Sequence, residues 1–141
     1  MRIVVDTNVM IAAVLWQGPP HQILELAESG AVTLCVTPPM LEELQEVLHR
    51  RKFQKHLQRR AISVEEIVAE LLPLVELYEP TAAPNTVPTD PDDEIFIECA
   101  LSANAIFLVS GDAHLLRLKK HRRIRIVTPV EFLRAFESEK P

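Results

Sequence analysis

The stretch Arg2-Ile3-Val4-Val5-Asp6-Thr7-Asn8 decides the fold. Its first four residues lack the alternation of apolar and polar side chains that a half-buried strand shows. Such a short apolar run predicts a strand buried on both faces of a parallel sheet. Asp6, Thr7 and Asn8 end the strand, and any of the three can cap the helix that the apolar residues 9–16 predict. The chain therefore begins with a buried strand that leads directly into a helix.

The same order of strand and helix continues along the 141 residues of the chain. Apolar runs predict further strands at residues 32–36, 74–78, 105–109 and 124–127, with helices between most of them. Strands that alternate with helices predict an α/β fold, here a three-layer α/β/α sandwich on a mostly parallel sheet. A chain of this length suits one domain, so we expect residues 1–141 to fold as a single unit.

Several helix starts carry capping signals. A capping residue precedes a proline at Thr37-Pro38 and at Asp90-Pro91, and proline is favoured in the first turn of a helix. Ser63 lies three residues before Glu66, which is the spacing of a capping box. Residues 81–89 show no periodicity and predict a loop.

Composition excludes several classes of protein. The hydrophobic fraction of 48% is enough to build a core, which excludes a disordered chain. The longest apolar run, residues 9–16, is far shorter than the ~20 residues of a membrane helix, so no membrane partner is expected. Cys35 and Cys99 lie in apolar segments and predict buried free thiols. No signal peptide follows Met1, and the cytoplasm is the expected location.

Positive charge is clustered, although the net charge is −5. Six of the 15 Lys and Arg residues fall within residues 50–60 and another six within residues 117–125, and neither block contains an acid. Such blocks are typical of patches that bind a nucleic-acid backbone, and equally of solvated helix faces and loops. Trp16 is interpreted as a core-edge or interface residue rather than as a platform for stacked bases.

Acidic residues from four segments are expected to meet at one edge of the sheet. Asp6 and Asp112 each directly follow a buried strand, and parallel strands end at the same edge, where such sheets bind ligands. The helices that start near residues 37 and 90 also begin at this edge. Their first turns carry the other acids of the set, which are Glu42, Glu43, Glu46, Asp92 and Asp93.

Clustered carboxylates have a chemical use, because oxygen ligands suit Mg²⁺ and Mn²⁺. Such an ion polarises a phosphoryl oxygen and activates a bound water. The acids could instead stabilise their helices, since negative charge in a first turn interacts favourably with the helix dipole. For Glu42, Glu46 and Asp92 this structural explanation is favoured over metal binding. The helix dipole gives no reason for an aspartate directly after a buried strand, so Asp6 and Asp112 are the strongest functional candidates.

With these residues assembled, the sequence resembles the PIN-domain nucleases. The similar group is the small stand-alone PIN proteins of the VapC type, which are toxins of toxin–antitoxin pairs. Four blocks carry the resemblance in the family's order and spacing, over nearly the whole chain: Val4-Val5-Asp6-Thr7-Asn8-Val9, Thr37-Pro38-Pro39-Met40-Leu41-Glu42-Glu43-Leu44, Asp90-Pro91-Asp92-Asp93 with Glu98-Cys99-Ala100-Leu101, and Leu108-Val109-Ser110-Gly111-Asp112 with Leu115-Leu116. One small departure is Ser110, where the family often has threonine.

The resemblance implies a sheet of about five parallel strands and Mg²⁺- or Mn²⁺-dependent hydrolysis of phosphodiesters, usually in single-stranded RNA. It implies the catalytic and metal-binding set Asp6, Glu43, Asp93 and Asp112. Asp6 and Asp112 would be the principal metal ligands, and the other two would hold a second ion or orient the attacking water. Supporting roles would fall to Thr7, Asn8 and Ser110, and contacts to the nucleic-acid backbone to Arg50, Arg51, Lys52, Arg122 and Arg123.

The partners implied by the resemblance are an RNA substrate, a cognate antitoxin and a second copy of the chain. Two apolar helices, residues 9–16 and 23–27, are candidate surfaces for a homodimer, unless both are internal. A phosphatase of the haloacid dehalogenase type would need an aspartate where Asn8 stands. A response-regulator receiver would need an acidic pair at the first strand. A PIN fold kept as a non-catalytic nucleic-acid- or protein-binding module is the main alternative, although the presence of all four acids favours catalysis.

Overall fold

The structure, a computed structural model, describes residues 1–80 and 91–139, without the side chains of residues 91–93. The strands are β1 (Arg2–Val5), β2 (Thr33–Val36), β3 (Val75–Leu77), β4 (Phe107–Val109), β5 (Lys120–His121) and β6 (Ile124–Val127). The helices are α1 (Thr7–Leu15), α2 (Pro19–Glu28), α3 (Pro38–Leu48), α4 (Arg51–Arg60), α5 (Val64–Leu71), α6 (Pro91–Ala103), α7 (Ala113–Leu118) and α8 (Pro129–Glu139), and a short 3₁₀ turn at Leu72–Leu74 follows α5.

The strands form one sheet in the order β3-β2-β1-β4-β6-β5. All neighbouring pairs are parallel except β5 and β6, which are antiparallel. The chain starts in the middle of the sheet, extends to one side through β2 and β3, and then crosses to the other side through β4 and β6. This topology confirms the predicted α/β fold and places β1 and β4 side by side, with Val5 opposite Val109.

Helices cover both faces of the sheet, because its central strands are apolar on both faces. Ile3 and Val5 face the larger core, which includes apolar residues of α1, α2, α4, α5 and α8. Val4, between them in sequence, faces the second core with α6 and α7. The opening stretch of the chain is therefore buried on both faces, as its uninterrupted apolar run predicts.

The sheet has six strands within the described residues, one more than the sequence predicts. The additional strand, β5, has only two residues and pairs with β6 as a hairpin whose turn is Arg122 and Arg123. A two-residue basic segment carries no apolar run, so its pattern gives no signal of a strand. Arg122 adopts a left-handed backbone conformation with φ of 54° in this turn.

Most of the predicted helix ends are present. Ser63 and Glu66 form both hydrogen bonds of the predicted capping box. Thr37 occupies the N-cap position of α3, but its side chain makes no capping hydrogen bond. The proposed cap at Asp90 and the predicted loop at residues 81–89 lie outside the described residues.

Both cysteines are buried and free, as predicted. Burial raises the pKa of Cys35 to about 11 and that of Cys99 to about 12. In α1 and α2, most apolar residues of the two segments named as dimer surfaces are buried in the larger core. Among the described residues, no helix is both long enough and apolar enough to cross a membrane.

Candidate active site at the carboxyl edge of the sheet

The candidate site lies where the chain changes direction across the sheet. Strands β1 and β4 are neighbours, but their crossover connections leave toward opposite sides, which opens a crevice at their carboxyl ends. Asp6 directly follows β1, and Ser110, Gly111 and Asp112 directly follow β4. The topology therefore brings the two strand-end aspartates of the sequence analysis to the same crevice.

Asp6 is a buried carboxylate, with 5% of the residue exposed. Its Oδ1 atom accepts a hydrogen bond from the Val9 N–H at 2.9 Å, which caps the start of α1. Its Oδ2 atom accepts from the Ser110 hydroxyl at 2.5 Å and from the Gly111 N–H at 3.3 Å. The Ser110 hydroxyl oxygen in turn accepts from the Asp112 N–H at 2.9 Å. One serine thus fixes the side chain of Asp6 and the backbone of Asp112.

Burial raises the pKa of Asp6, because removal from water disfavours the charged carboxylate. Hydrogen bonds from Ser110, Val9 and Gly111 act in the opposite direction, and the negative charge of Asp112 adds to the rise. The net result is a carboxyl group whose ionised form is stabilised less than it is in water. A cation in the crevice would offset this imbalance.

Asp112 occupies the N-cap position of α7, where its Oδ1 atom accepts from the His114 N–H at 2.7 Å. This contact corrects one step of the sequence analysis. The sequence predicted a capping role for Asp6 as one of three candidates, which is confirmed, but none for Asp112, which also caps the helix that follows it. Each aspartate therefore has a structural role as well as a place at the crevice.

Glu43 reaches the same crevice from the first half of α3. Its Oε2 atom accepts a hydrogen bond from the hydroxyl group of Thr7, so the residue after Asp6 orients the third acid. The neighbouring Glu42 is exposed. The predicted first-turn position of these glutamates is wrong, because the first turn of α3 contains no acid; Glu42 and Glu46 lie in its second and third turns, so the helix dipole does not explain them. The crevice is an open cleft of about 200 Å³, and the residues that line it are Asp6, Thr7, Asn8, Glu43, Val47, Arg50, Phe96 and Asp112.

Asp93 lies in the first turn of α6, and its side chain is outside the described part of the structure. Phe96, three residues later on the same helix, forms part of the cleft wall. Among the side chains that the structure describes, no three His, Cys, Asp or Glu residues are close enough to hold one metal ion together. The fourth acid is thus assigned to the site by the position of its helix alone.

The basic residues separate into two groups. Arg50 lines the cleft. Arg51 and Lys52 follow it in the first turn of α4, and both are exposed. Arg122 and Arg123 lie in the β5–β6 turn, which is at the amino end of β6 and therefore at the opposite edge of the sheet from Asp6. Among the described side chains, the structure brings Arg50 together with Asp6, Glu43 and Asp112, but it brings neither Arg122 nor Arg123 to the cleft.

Two residues of the site were not recognised from sequence as part of it. Phe96 is 95% buried in the core between the sheet and α6, and the same side chain also borders the cleft. Val47, another buried residue, lies one turn after Glu43 on α3 and also borders the cleft. Their helical spacing from the acids was the available signal.

Comparison with known families decides the classification. Residues 2–114 match the PIN domain family, a segment that includes all four acids of the proposed set. The chain belongs to the PIN domain family. In this PIN domain, β5, β6 and α8 follow the matched segment and complete one side of the sheet.

A solved structure shares the fold. The PIN domain is similar to a chain in the crystal structure of VapBC2 from Rickettsia felis bound to a DNA fragment from their promoter. The TM-score is 0.60 at 17% sequence identity, and the alignment covers 89% of this chain and 97% of the other. A comparison with curated proteins gives no significant match.

Proposed function

We propose that this PIN domain is a Mg²⁺- or Mn²⁺-dependent nuclease that hydrolyses phosphodiester bonds in single-stranded RNA. The observation that carries the proposal is the cleft at the junction of β1 and β4, which is lined by Asp6, Glu43 and Asp112. Membership of the PIN domain family supports a nuclease, because proteins of this family are generally nucleases.

The donors around the cleft fit a hard divalent cation. Asp6, Asp112 and Glu43 offer only oxygen atoms, and none of the described residues that line the cleft is a cysteine or histidine. The pKa of Asp6 is raised by burial, and a nearby cation would lower it again by stabilising the ionised carboxylate. We assign Asp6 and Asp112 as principal ligands and Glu43 and Asp93 as the acids that complete the set. A bound ion would polarise the phosphoryl oxygen and lower the pKa of a bound water.

The chain's own residues would prepare the cleft for this chemistry. Ser110 holds Asp6 and the backbone of Asp112 in fixed positions, and Thr7 orients Glu43. Arg50, on the rim of an otherwise acidic cleft, would bind a substrate phosphate and hold the backbone against the acids. Positioning of this kind lowers the barrier of a phosphoryl transfer, because the reacting groups meet in a productive geometry.

We further propose that the chain is the toxin of a toxin–antitoxin pair that acts in the cytoplasm. The support is the shared fold with a chain in the structure of VapBC2 bound to a DNA fragment from their promoter. The antitoxin would be the product of an adjacent gene, and a homodimer would be a further assembly. Co-expression of the two genes, followed by purification on a tag placed on this chain alone, tests the pair: the neighbour co-purifies if the proposal is right.

A cleavage assay tests the central activity. The purified protein is incubated with matched single-stranded RNA and DNA in Mg²⁺, in Mn²⁺ and in EDTA. We expect cleavage of RNA with either metal and none in EDTA. Binding of RNA without cleavage under every metal condition would instead identify a non-catalytic binding module, and full cleavage in EDTA would exclude the metal-dependent mechanism.

A further inference from the structure

A continuous basic surface runs from the cleft along α4. The surface is formed by four exposed residues of the helix, Arg51, Lys52, Lys55 and Arg59. At 3.6 residues per turn, their positions fall within about 100° of the helix circumference, opposite the buried Phe53 and Leu57. No acidic side chain in the described part of the chain forms an ion pair with any of the four.

This arrangement does not stabilise the helix that carries it. Arg51 and Lys52 lie in the first turn, where the helix dipole favours negative charge, and Arg50 makes no side-chain capping hydrogen bond. Arg51, Lys55 and Arg59 are spaced four residues apart, so like charges are neighbours along the helix. The helix dipole favours only Arg59, which lies in the last turn, so helix stability gives no reason for the other three cations, whereas a polyanionic ligand would relieve both conflicts.

Arg60 differs from these four residues because its role is structural. Its guanidinium group donates hydrogen bonds to the carbonyl oxygens of Val14 and Leu15 at the end of α1. The contact fixes the direction of α4. The helix begins beside the cleft at Arg50 and, about 15 Å further on, ends beside the carboxyl end of α1.

An exposed tryptophan marks this far end. Trp16 is the C-cap residue of α1 and keeps 42% of its surface exposed. Its indole ring contacts the ring of His56 on α4 edge to face, with ring centroids 5.2 Å apart. An exposed aromatic ring beside cations is the combination with which proteins bind a single strand: the cations hold the phosphates and the ring stacks on a base.

We infer that α4 and Trp16 form an extended binding surface for the part of a single-stranded RNA that lies outside the cleft. Arg51, Lys52, Lys55 and Arg59 bind successive phosphates, and Trp16, supported by His56, stacks on an unpaired base. The inference rests on the proposed function for its choice of substrate. It changes the interpretation of Trp16 as a core-edge or interface residue. A protein partner fits this surface less well, because the cores of protein interfaces are depleted of charged residues, and this surface carries four exposed cations that form no ion pair within the described residues.

Trp16 is the only tryptophan of the chain, so intrinsic fluorescence reports on it alone. The experiment titrates the full-length protein in EDTA with a short single-stranded RNA and with an abasic oligonucleotide of the same length. We expect RNA to quench the fluorescence and the abasic strand to bind without comparable quenching. RNA binding that leaves the fluorescence unchanged would overturn the stacking of a base on Trp16.

Variants divide the surface into its two parts, with labelled RNA and anisotropy as the readout. Trp16→Leu should weaken RNA binding about 5- to 100-fold and leave abasic binding unchanged, and Trp16→Phe should restore most of the loss.

The triple variant Arg51→Gln, Lys55→Gln, Arg59→Gln should reduce the slope of log K against log salt by about 2, at about 0.7 per phosphate. The matched control is Arg117→Gln, Lys119→Gln, Lys120→Gln, which removes the same charge from exposed positions outside this surface and should leave the slope unchanged.

Equal effects of the two triple variants would overturn the basic surface as a specific binding site. An acidic peptide that displaces RNA from the wild type and binds more tightly than RNA would assign the surface to a protein partner instead. Neither readout needs cleavage. Quenching without cleavage in Mg²⁺ therefore supports the surface while contradicting the proposed nuclease, and cleavage without quenching does the reverse.

Discussion

Ser110 shows how one side chain can organise a site built from separate segments. Its hydroxyl group donates to Asp6 and accepts from the backbone of Asp112, and the residue is completely buried. Without this hydroxyl group, Asp6 would lose its closest partner in a buried position. The two aspartates therefore depend on a residue that would touch neither metal nor substrate.

Replacement of Ser110 tests this dependence. Ser110→Ala should lower cleavage about 10- to 100-fold, the loss typical of groups that orient metal ligands. It should also cost about 1–3 kcal/mol of unfolding free energy, because the buried Asp6 loses a donor. Ser110→Thr keeps the hydroxyl group and should retain most activity. Assays of both variants check the prediction, and equal losses in the two would show that the hydroxyl group is not the important feature.

Two neighbouring glutamates offer a matched comparison on α3. Glu43 accepts from Thr7 and lines the cleft, whereas Glu42 is exposed and does not line it. Glu43→Gln should reduce cleavage by about 100-fold or more, because the site loses one charge of its metal-binding set. Glu42→Gln, with the same change of charge one residue away, should cleave like the wild type. The reverse order of activities would mean that the wrong glutamate has been assigned.

Among the helices and strands, the sequence pattern was sufficient to predict those features that depend on interactions between residues close in sequence. The Ser63 capping box and the buried opening strand were both predicted from local sequence and are present. The β5 strand was missed, because its pairing with β6 depends on a turn conformation at Arg122 that the sequence pattern does not indicate. The cap that Arg60 forms on α1 was also missed, because it joins residues 45 positions apart.

Helix α8 has a capping box that the sequence analysis did not use. The Thr128 N–H donates to Glu131 Oε1 at 2.8 Å, and the Thr128 Oγ1 atom accepts from the Glu131 N–H at 3.1 Å. These hydrogen bonds hold the pKa of Glu131 below its ordinary value, because they favour the ionised carboxylate. The spacing of threonine and glutamate was visible in the sequence and could have predicted the start of the helix.

This box gives α8 a pH-dependent contribution to stability. Since the pKa of Glu131 is lowered by folding, its contribution is complete above the ordinary glutamate pKa of about 4.3 and is lost as pH falls through the lowered value. Glu131→Gln should therefore be less stable than the wild type near pH 7, by no more than about 1 kcal/mol at this exposed position. Urea titrations from pH 3 to pH 7 measure the difference, which should shrink toward the acid end. A difference that is the same at every pH would contradict this account.

For the whole molecule, the order of the strands explains what sequence could and could not say about the site. The proximity of Asp6, Glu43 and Asp112 could be predicted from the sequence, because parallel strands end at one edge of the sheet and the helix that follows β2 begins at that edge. The positions of the two basic blocks relative to the cleft were not predicted from the sequence. Arg122 and Arg123 precede the last strand, so they lie at its amino end, and this consequence of their position was overlooked. Arg50 and α4, in contrast, begin beside the cleft.

The central claim, that the acidic cleft binds a divalent cation, is tested most directly by thermal melting of the wild type and Asp112→Asn. Asparagine caps a helix as well as aspartate does, so the variant should keep α7 and its contact with His114. In EDTA the variant should melt at or above the wild type, because removal of its charge relieves the repulsion with Asp6. Addition of Mg²⁺ should reverse the order, since an ion at ten times its dissociation constant stabilises the wild type by ~1.4 kcal/mol and the variant much less. If Asp112→Asn is clearly less stable in EDTA and both proteins respond equally to Mg²⁺, Asp112 is a structural residue and the cation site lies elsewhere.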